Sequence, residues 1–281
     1  MFLKATSAIL SACLLAAAIR PDASVDRPQI IKLERFRKAL WTVRVTVNGV
    51  SGNFLLDTGG GNTLVTEPFA AHLTCTFWGR TTGYNMFGQR ADGPHCDDVH
   101  LAAGTTQLTP VDVGKFDFGD RFAGDKAPDG LLSLDAFDGK AFTLDQVAGT
   151  LTIETPESLA RRVERMHELP LRLVRGTSAR ELDAFVGVRT PQGIAWLTLD
   201  SGAGGVSLIA REYAEAFRLD PSIKEQQLRF EITPDISVNS PVLVTDMILD
   251  GNLGQPFMSQ YVLTFDLRNS RLWVGKPSGA S

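Results

Sequence analysis

Two short motifs in this sequence each place an aspartate between an apolar run and a glycine. They are Asp57-Thr58-Gly59 and Asp200-Ser201-Gly202. Two carboxyl groups held about 3 Å apart cannot both ionise, so one of them keeps a proton. The charged carboxylate can then take a proton from a water molecule, while the neutral group donates to a substrate carbonyl. The pair predicts hydrolysis by an activated water, with Asp57 and Asp200 as the catalytic residues.

The residues that follow each aspartate suit such a pair. Thr58 and Ser201 carry small hydroxyl groups that could bond across a two-fold axis and brace the two loops. Gly59 and Gly202 would let the backbones approach closely and donate amides to the carboxylates. A lone triplet of this kind arises by chance in about one chain in ten of this length. The prediction therefore depends on the two copies occupying equivalent parts of an internal repeat.

The repeat extends through both halves of the chain. Each motif follows a strand-like stretch, 41–47 or 184–190, and precedes a helix-like segment, 64–73 or 208–217, with apolar residues at helical spacing. Further on, Asp129-Gly130-Leu131-Leu132-Ser133 matches Asp250-Gly251-Asn252-Leu253-Gly254. Without a gap, Phe142-Thr143-Leu144-Asp145 then falls on Leu263-Thr264-Phe265-Asp266, and Leu151-Thr152-Ile153 on Leu272-Trp273-Val274.

This pattern predicts a mainly all-β chain of two pseudo-symmetric lobes, each with one short helix after the catalytic loop. The predicted first lobe spans residues 30–155 and the second spans 169–276. Between them, the charged segment 156–168, which also carries alanine and leucine, predicts a helical linker. A two-fold axis between the lobes would bring the two aspartates together.

The paired motifs and the downstream Asp-Gly-apolar segments resemble the pepsin-like and retroviral-type aspartic peptidases, in a single-chain, two-lobed form. The resemblance spans nearly all of residues 40–275. It implies an apolar-apolar-glycine element supporting each catalytic loop. Gly254 fits that element, whereas Ser133 stands where the family has glycine and Asn252 where it has an apolar residue.

The resemblance also implies a β-hairpin flap over the cleft. The candidate segment runs from Gly83 to Gly88, and its residues that could form a mobile tip or touch substrate are Gly83, Tyr84, Met86, Phe87 and Gly88. An ordinary surface hairpin is the alternative interpretation. The second lobe offers only a shorter candidate around Thr233-Pro234-Asp235.

The N-terminus and the cysteines predict export. Residues 1–18 combine a positive start, an apolar run and small residues at Ala16-Ala17-Ala18, which is typical of a signal peptide. A lipid anchor at Cys13 is the weaker alternative, because the apolar run continues beyond it. Cys75 and Cys96 remain, and in an oxidising compartment they are expected to form a disulfide rather than stay two buried thiols. The predicted location is the periplasm or the exterior.

Composition and the other motifs narrow the partners. The net charge of -4 gives no reason to expect nucleic acid or an anionic membrane. Segment 95–100, His-Cys-Asp-Asp-Val-His, contains metal-binding residue types, but alternate strand residues face opposite sides, so we expect no metal site. The glycine-rich segment 200–205 lacks the third glycine of a dinucleotide loop, so no cofactor is expected.

Two classes of function remain from the sequence. The first is an aspartic endopeptidase that acts on a peptide or protein substrate, as a monomer because both motifs lie in one chain, with no membrane span after signal removal. The second is a catalytically inactive, peptidase-like module that binds peptides. The presence of both aspartates favours the first class, and the departures at Ser133 and Asn252 keep the second.

Overall fold

The computed structural model describes residues 27–277, except 110, 111, 123 and 125. The predicted signal peptide, residues 1–18, and Cys13 lie outside the described residues. Short strands with alternating burial dominate the described chain, as the predicted all-β class requires.

Among the described residues, the first half of the chain contributes thirteen strands. They are β1 Gln29–Lys32, β2 Glu34–Phe36, β3 Leu40–Val47, β4 Val50–Leu56, β5 Leu64–Val65, β6 Trp78–Tyr84, β7 Arg90–Asp97, β8 Leu101–Ala103, β9 Thr106–Gln107, β10 Asp112–Lys115, β11 Gly130–Leu132, β12 Ala141–Asp145 and β13 Thr150–Glu154.

The second half contributes ten more strands within the described residues. They are β14 His167–Leu169, β15 Leu171–Val174, β16 Asp183–Thr190, β17 Gly193–Leu199, β18 Ser207–Ala210, β19 Glu225–Thr233, β20 Ile236–Thr245, β21 Gly251–Leu253, β22 Val262–Asp266 and β23 Arg271–Gly275.

Helices are few and short in the described chain. The α-helices are α1 Glu67–Ala70, α2 Pro156–Val163 and α3 Gln255–Met258. Single 3-10 turns occupy Gly119–Phe122, Leu134–Phe137, Arg211–Tyr213 and Glu215–Phe217. Helix α2 lies in the segment predicted as a helical linker, and Thr155 and Ser158 form a capping box at its start.

Each lobe has its own sheet, and the two sheets share one central arrangement. The first is ordered β6-β7-β10-β5-β11-β4-β3-β8-β9, and the second β15-β16-β17-β21-β18-β20-β19. In both, the strand that leads to an aspartate motif pairs in parallel with the Asp-Gly strand of its own repeat: β4 with β11, and β17 with β21. The internal repeat therefore sets the two-lobed architecture.

A third sheet joins the lobes at their base. Its order is β1-β13-β12-β22-β23-β14, so three strands of the first half lie beside three strands of the second half and meet them at β12 and β22. At its centre Thr143 pairs with Thr264, and their hydroxyl oxygens lie 2.9 Å apart in a hydrogen bond. The rings of Phe142 and Phe265 stack beside them with centroids 4.9 Å apart. The pseudo-two-fold axis passes through this pair of matched residues.

The helix-like segments were predicted too long. Leu64 and Val65 form β5 rather than a helix, and helix α1 begins only after Thr66, whose side chain accepts from Phe69 N. In the second lobe, Ser207–Ala210 is fully buried strand β18, followed by two 3-10 turns instead of an α-helix. Short apolar runs have no period of their own, and here pairing with neighbouring strands determined the structure.

The prediction of a shorter hairpin in the second lobe was also wrong. Strands β19 and β20 have nine and ten residues, longer than the seven and eight of β6 and β7. Their turn lies against the base of the molecule, because Asp235 Oδ2 is 3.2 Å from His167 Nε2 on β14. The Tyr261 hydroxyl also bonds the backbone of Ser237. The turn of this hairpin therefore contacts the base sheet at β14.

The predicted disulfide between Cys75 and Cys96 is confirmed. It joins the segment after α1 to strand β7, with the two Cα atoms 6.1 Å apart. The enclosed loop contains the β6–β7 hairpin except for Asp97, the last residue of β7. Such a bond is typical of an oxidising, exported environment. In the part of the chain that the structure describes, no helix is long and apolar enough to cross a membrane.

Replacing both cysteines by serine should lower the free energy of unfolding by about 3 kcal/mol, because the unfolded chain then regains the freedom of the opened loop. Urea unfolding of the double variant measures this loss, and wild-type protein unfolded with a thiol reductant should match it. Two alkylatable thiols in the untreated wild-type protein would contradict the expectation.

Candidate active site

The two aspartate motifs begin from equivalent positions in their lobes. Asp57 follows β4 and its backbone N–H donates to Leu132 O at 3.0 Å, while Asp200 follows β17 and donates to Leu253 O at 3.1 Å. Both acceptors are the last residues of the parallel partner strands β11 and β21. The repeat therefore gives the two aspartates the same local support.

Hydroxyl groups connect the two loops across the axis. Thr58 Oγ1 donates to Leu199 O at 2.6 Å, and Ser201 Oγ donates to Leu56 O at 2.7 Å. In return, Thr58 N donates to Ser201 Oγ and Ser201 N donates to Thr58 Oγ1, each at 3.0 Å. All four bonds are buried, so the predicted bracing contacts are present at Thr58 and Ser201.

The glycines of the motifs bring each loop against the opposite carboxyl group. A methyl group added to Gly59 would lie 2.6 Å from Asp200 Cγ, and one added to Gly202 would lie 2.6 Å from Asp57 Cγ. No larger residue fits at either position. The same glycines donate backbone N–H groups to the aspartates of their own loops, at 3.2 Å to Asp57 Oδ1 and 2.8 Å to Asp200 Oδ1.

Asn252, which departs from the family pattern, contacts the site directly. Its Nδ2 donates to Asp200 Oδ2 at 2.6 Å, and its side chain is fully buried. Asp200 Oδ1 also accepts from Ala203 N at 3.0 Å. Leu131 occupies the matching place in the first lobe and has no such donor. Asn252 thus fixes the orientation of one carboxylate of the pair, a contact that the motif comparison did not predict.

The second departure, Ser133, is accommodated by the extra glycines of the first loop. A methyl group on Gly60 would lie 2.6 Å from Ser133 Oγ, so only glycine leaves room for that hydroxyl. The hydroxyl is buried and has no hydrogen-bond partner among the described residues. The serine at position 133 therefore packs in place only because the residue at position 60 is glycine.

A buried carboxyl group supports the end of the first loop. Asp135 accepts from Thr63 N at 2.8 Å, from Thr63 Oγ1 at 2.6 Å and from Ala136 N at 2.8 Å. Burial outweighs these donors and raises the pKa of Asp135 to about 7. No sequence motif singles out Asp135, since its role depends on Thr63, which lies 72 positions away.

The predicted flap is a β-hairpin that reaches the second lobe. Strands β6 and β7 pair up to Tyr84 and Arg90, and the Asn85 side chain accepts from two backbone N–H groups of the turn. At the tip, Met86 O accepts from Ile248 N at 3.0 Å. Tyr84 and Phe87 are about half exposed, and Met86 is less so.

Both glycines of the predicted tip belong to this hairpin as well. Gly88 has a positive φ of 75° and lies against the Ile248 side chain, while Gly83 faces Glu181. Ile248 was missed from the sequence because it lies in an exposed loop outside every motif.

Two further carboxyl groups lie beside the pair. Asp183 begins β16, and Glu181 precedes it by two residues. Burial, together with the negative charges of Glu181 and Asp200, raises the pKa of Asp183 to about 6. Neither residue belongs to a recognisable motif. The sequence offers one weak indication of Asp183, namely an acidic residue at the start of β16, the strand that pairs with β17.

Two residues of segment 95–100, His95 and Cys96, make structural contacts. Cys96 is in the disulfide, and the His95 ring packs on Trp78 with centroids 5.0 Å apart. Among the described residues, no three histidine, cysteine or acidic side chains are grouped to hold a metal ion.

Comparisons with known proteins agree with the fold. The family model of aspartyl proteases matches residues 43–136, a span that holds Asp57 and the flap. Among solved structures, the crystal structure of basic 7S globulin from soybean is similar, with a TM-score of 0.55 and 11% identity over 89% of this chain and 95% of that chain. At that identity the likeness shows the fold alone. No curated protein matches this sequence. The resemblance to aspartic peptidases is confirmed.

Replacing Ser201 by alanine should lower the free energy of unfolding by about 2–3 kcal/mol, because Leu56 O and Thr58 N then lose buried partners. Ser133→Ala is the matched control: an equally buried serine whose hydroxyl lacks a partner, so its removal should cost less than about 1 kcal/mol. Urea unfolding compares the two variants, and equal losses would contradict the bracing role.

Replacing Asp183 by asparagine should stabilise the protein above pH 6. The folded state holds a proton on Asp183 up to about pH 6, whereas an unperturbed aspartate loses it near pH 3.8. Wild-type stability therefore falls as pH rises through this window. We expect the variant to gain on the order of 2 kcal/mol at pH 8 and little at pH 3.5. Denaturant unfolding at both pH values measures the gain, and an equal gain at both would refute the explanation.

Proposed function

We propose that this chain is an aspartic endopeptidase that hydrolyses peptide bonds with a water molecule activated between Asp57 and Asp200. The observation that carries the proposal is the crosswise contact of the two loops. Each motif's glycine lies against the other motif's carboxyl group, and the hydroxyls of Thr58 and Ser201 keep the loops in that relation. The aspartyl protease match over the first lobe supports it.

In the proposed reaction, the two carboxyl groups share one proton. The ionised group takes a proton from water as the water oxygen attacks the peptide carbon, and the protonated group donates to the carbonyl oxygen. A tetrahedral diol forms without any covalent bond to the enzyme. The diol then collapses and the C–N bond breaks. The leaving nitrogen takes the proton that the first carboxyl group had received from water, and the second carboxylate takes back a proton from a diol hydroxyl, which leaves a carboxylic acid product and restores the shared proton.

The flap gives this chemistry a substrate channel. An extended peptide would lie between the β6–β7 hairpin and the two loops, with Tyr84, Met86 and Phe87 available for contact. The bond from Ile248 N to Met86 O spans the two lobes and would open when the peptide enters. After the peptide has entered, the hairpin would close over it and exclude water from the reacting bond.

We propose that the enzyme acts as an exported monomer in the periplasm or outside the cell. Both motifs lie in one chain, so one copy can build the complete pair. The disulfide between Cys75 and Cys96 supports an oxidising compartment. The mechanism needs neither a metal ion nor an organic cofactor.

A peptide-binding module without turnover is the second candidate. It is favoured by Ser133 and Asn252, which differ from the family pattern next to the catalytic loops, and by the fold's likeness to a protein named as a globulin. Such a module would retain the cleft and the flap but would not cleave a bound peptide.

Replacing either Asp57 or Asp200 by asparagine should lower the rate of peptide cleavage at least about 1,000-fold, and the double variant should be little worse, because the pair acts as a unit. Asparagine keeps the size and shape of the side chain but cannot supply the shared proton and charge. The measurement is kcat/KM on a peptide library, with a statine-type inhibitor to identify the active site.

Asp145→Asn and Asp266→Asn are the controls. These aspartates match each other in the repeat but bond to turns of the base sheet, through Ala148 N and Asn269 N. Both controls should keep wild-type cleavage. Full activity in Asp57→Asn or Asp200→Asn would overturn the assignment, and a wild-type protein that binds peptides without cleaving any would favour the binding module.

A further inference from the structure

Glu181 is a buried acid with one oxygen left unsatisfied. The residue is only 7% exposed, and Ser178 Oγ donates to its Oε2 at 2.8 Å. Its Oε1 has no hydrogen-bond partner among the described residues. An unpaired carboxylate oxygen inside a protein is costly, so it marks a place where a donor from outside could bind.

The unsatisfied oxygen of Glu181 lies beside the β6–β7 hairpin. Oε1 lies 3.6 Å from where a methyl group on Gly83 of the flap would stand. Asp183 Oδ1 lies 3.3 Å from where a methyl group on Gly61 would stand, and Gly61 belongs to the loop that follows Asp57. The two carboxyl groups thus lie between the flap and the first catalytic loop, and the negative charge of Asp200 acts on Asp183.

The second lobe holds these acids firmly against the first. Leu182 N donates to Gly61 O at 2.9 Å, and Thr177 Oγ1 donates to Thr82 O of the flap at 3.2 Å. Because residues 61 and 83 are glycines, neither position carries a side chain that would cover the carboxyl groups.

The part of the chain that the structure describes supplies no cation for these acids. In the described residues, neither Glu181 nor Asp183 forms an ion pair. The adjacent Arg180 is engaged elsewhere, since its guanidinium pairs with Asp112 and with Asp97. Two negative groups next to a pair that itself carries charge repel one another, and a bound cation would relieve that repulsion.

We propose that Glu181 and Asp183 form a subsite for a lysine or arginine side chain of the peptide substrate, an inference that rests on the proposed peptidase function. The cation would donate to Glu181 Oε1 and lie near Asp183, with the aliphatic part of its side chain passing Gly83 and Gly61. The enzyme would then prefer peptides with a basic residue near the scissile bond.

The subsite also predicts a pH effect on specificity. The groups that face Asp183 are Glu181 and Asp200, both acidic, while Arg180 remains paired with Asp97 and Asp112. Because the pKa of Asp183 is about 6, this group becomes neutral below that pH and attracts a cation less strongly. The preference for a basic residue should therefore weaken as the pH falls through 6.

The test compares peptides that carry either lysine or its uncharged analogue norleucine at each position within about three residues of the cleaved bond. Wild-type kcat/KM should favour lysine at one position by about tenfold or more, because norleucine leaves the buried acid unpaired. Glu181→Gln and Asp183→Asn should reduce the preference to about threefold or less. Glu225→Gln, an exposed glutamate at the start of β19, is the matched control and should keep the wild-type preference.

A binding measurement separates the subsite from the peptidase activity. Binding of statine-type peptides with lysine or norleucine, measured by calorimetry, reports on the subsite even without turnover. A lysine preference in binding without cleavage would support the subsite and refute the peptidase proposal. Equal treatment of lysine and norleucine in both assays would overturn the subsite. Unfolding temperatures of the variants show that the folded state persists.

Discussion

The exchange of hydroxyl hydrogen bonds between Thr58 and Ser201 is the contact on which the site depends. Each hydroxyl donates to a strand end of the opposite lobe and accepts from the opposite loop, so neither lobe can rotate without breaking buried bonds. The base sheet, centred on Thr143 and Thr264, holds the same two-fold relation from below. Two aspartates more than 140 positions apart in sequence are thereby kept in one place.

The departures from the family pattern have local explanations. Ser133 fits because Gly60 has no side chain that would clash with its hydroxyl group. Asn252 stands where the family has an apolar residue and donates a hydrogen bond to Asp200. Neither change disturbs the crosswise hydroxyl contacts. Together with Asp135, Asp183 and Glu181, they give this site more polar and acidic groups than its two motifs alone would suggest. Acids near the cleft are destabilising in the empty protein and are therefore reasonable candidates for a role in substrate choice.

The sequence predicted the parts of the structure that repeat. The two motifs, the Asp-Gly strands and the matched threonines of the base sheet appeared as aligned copies, and the structure pairs them accordingly. Predictions from local periodicity did less well, because Leu64, Val65 and Ser207–Ala210 owe their strand conformation to distant partners. Glu181, Asp135 and Ile248 could not be found from the sequence, since each acts through residues brought together only by folding.

The most direct test of the account is a crystal structure with a statine-type peptide, whose hydroxyl group takes the place of the attacking water. We expect that hydroxyl oxygen to lie within about 3 Å of a carboxylate oxygen of both Asp57 and Asp200, with the flap closed over the peptide. A peptide bound elsewhere, or a hydroxyl that touches only one of the two aspartates, would contradict the claim that the pair activates water.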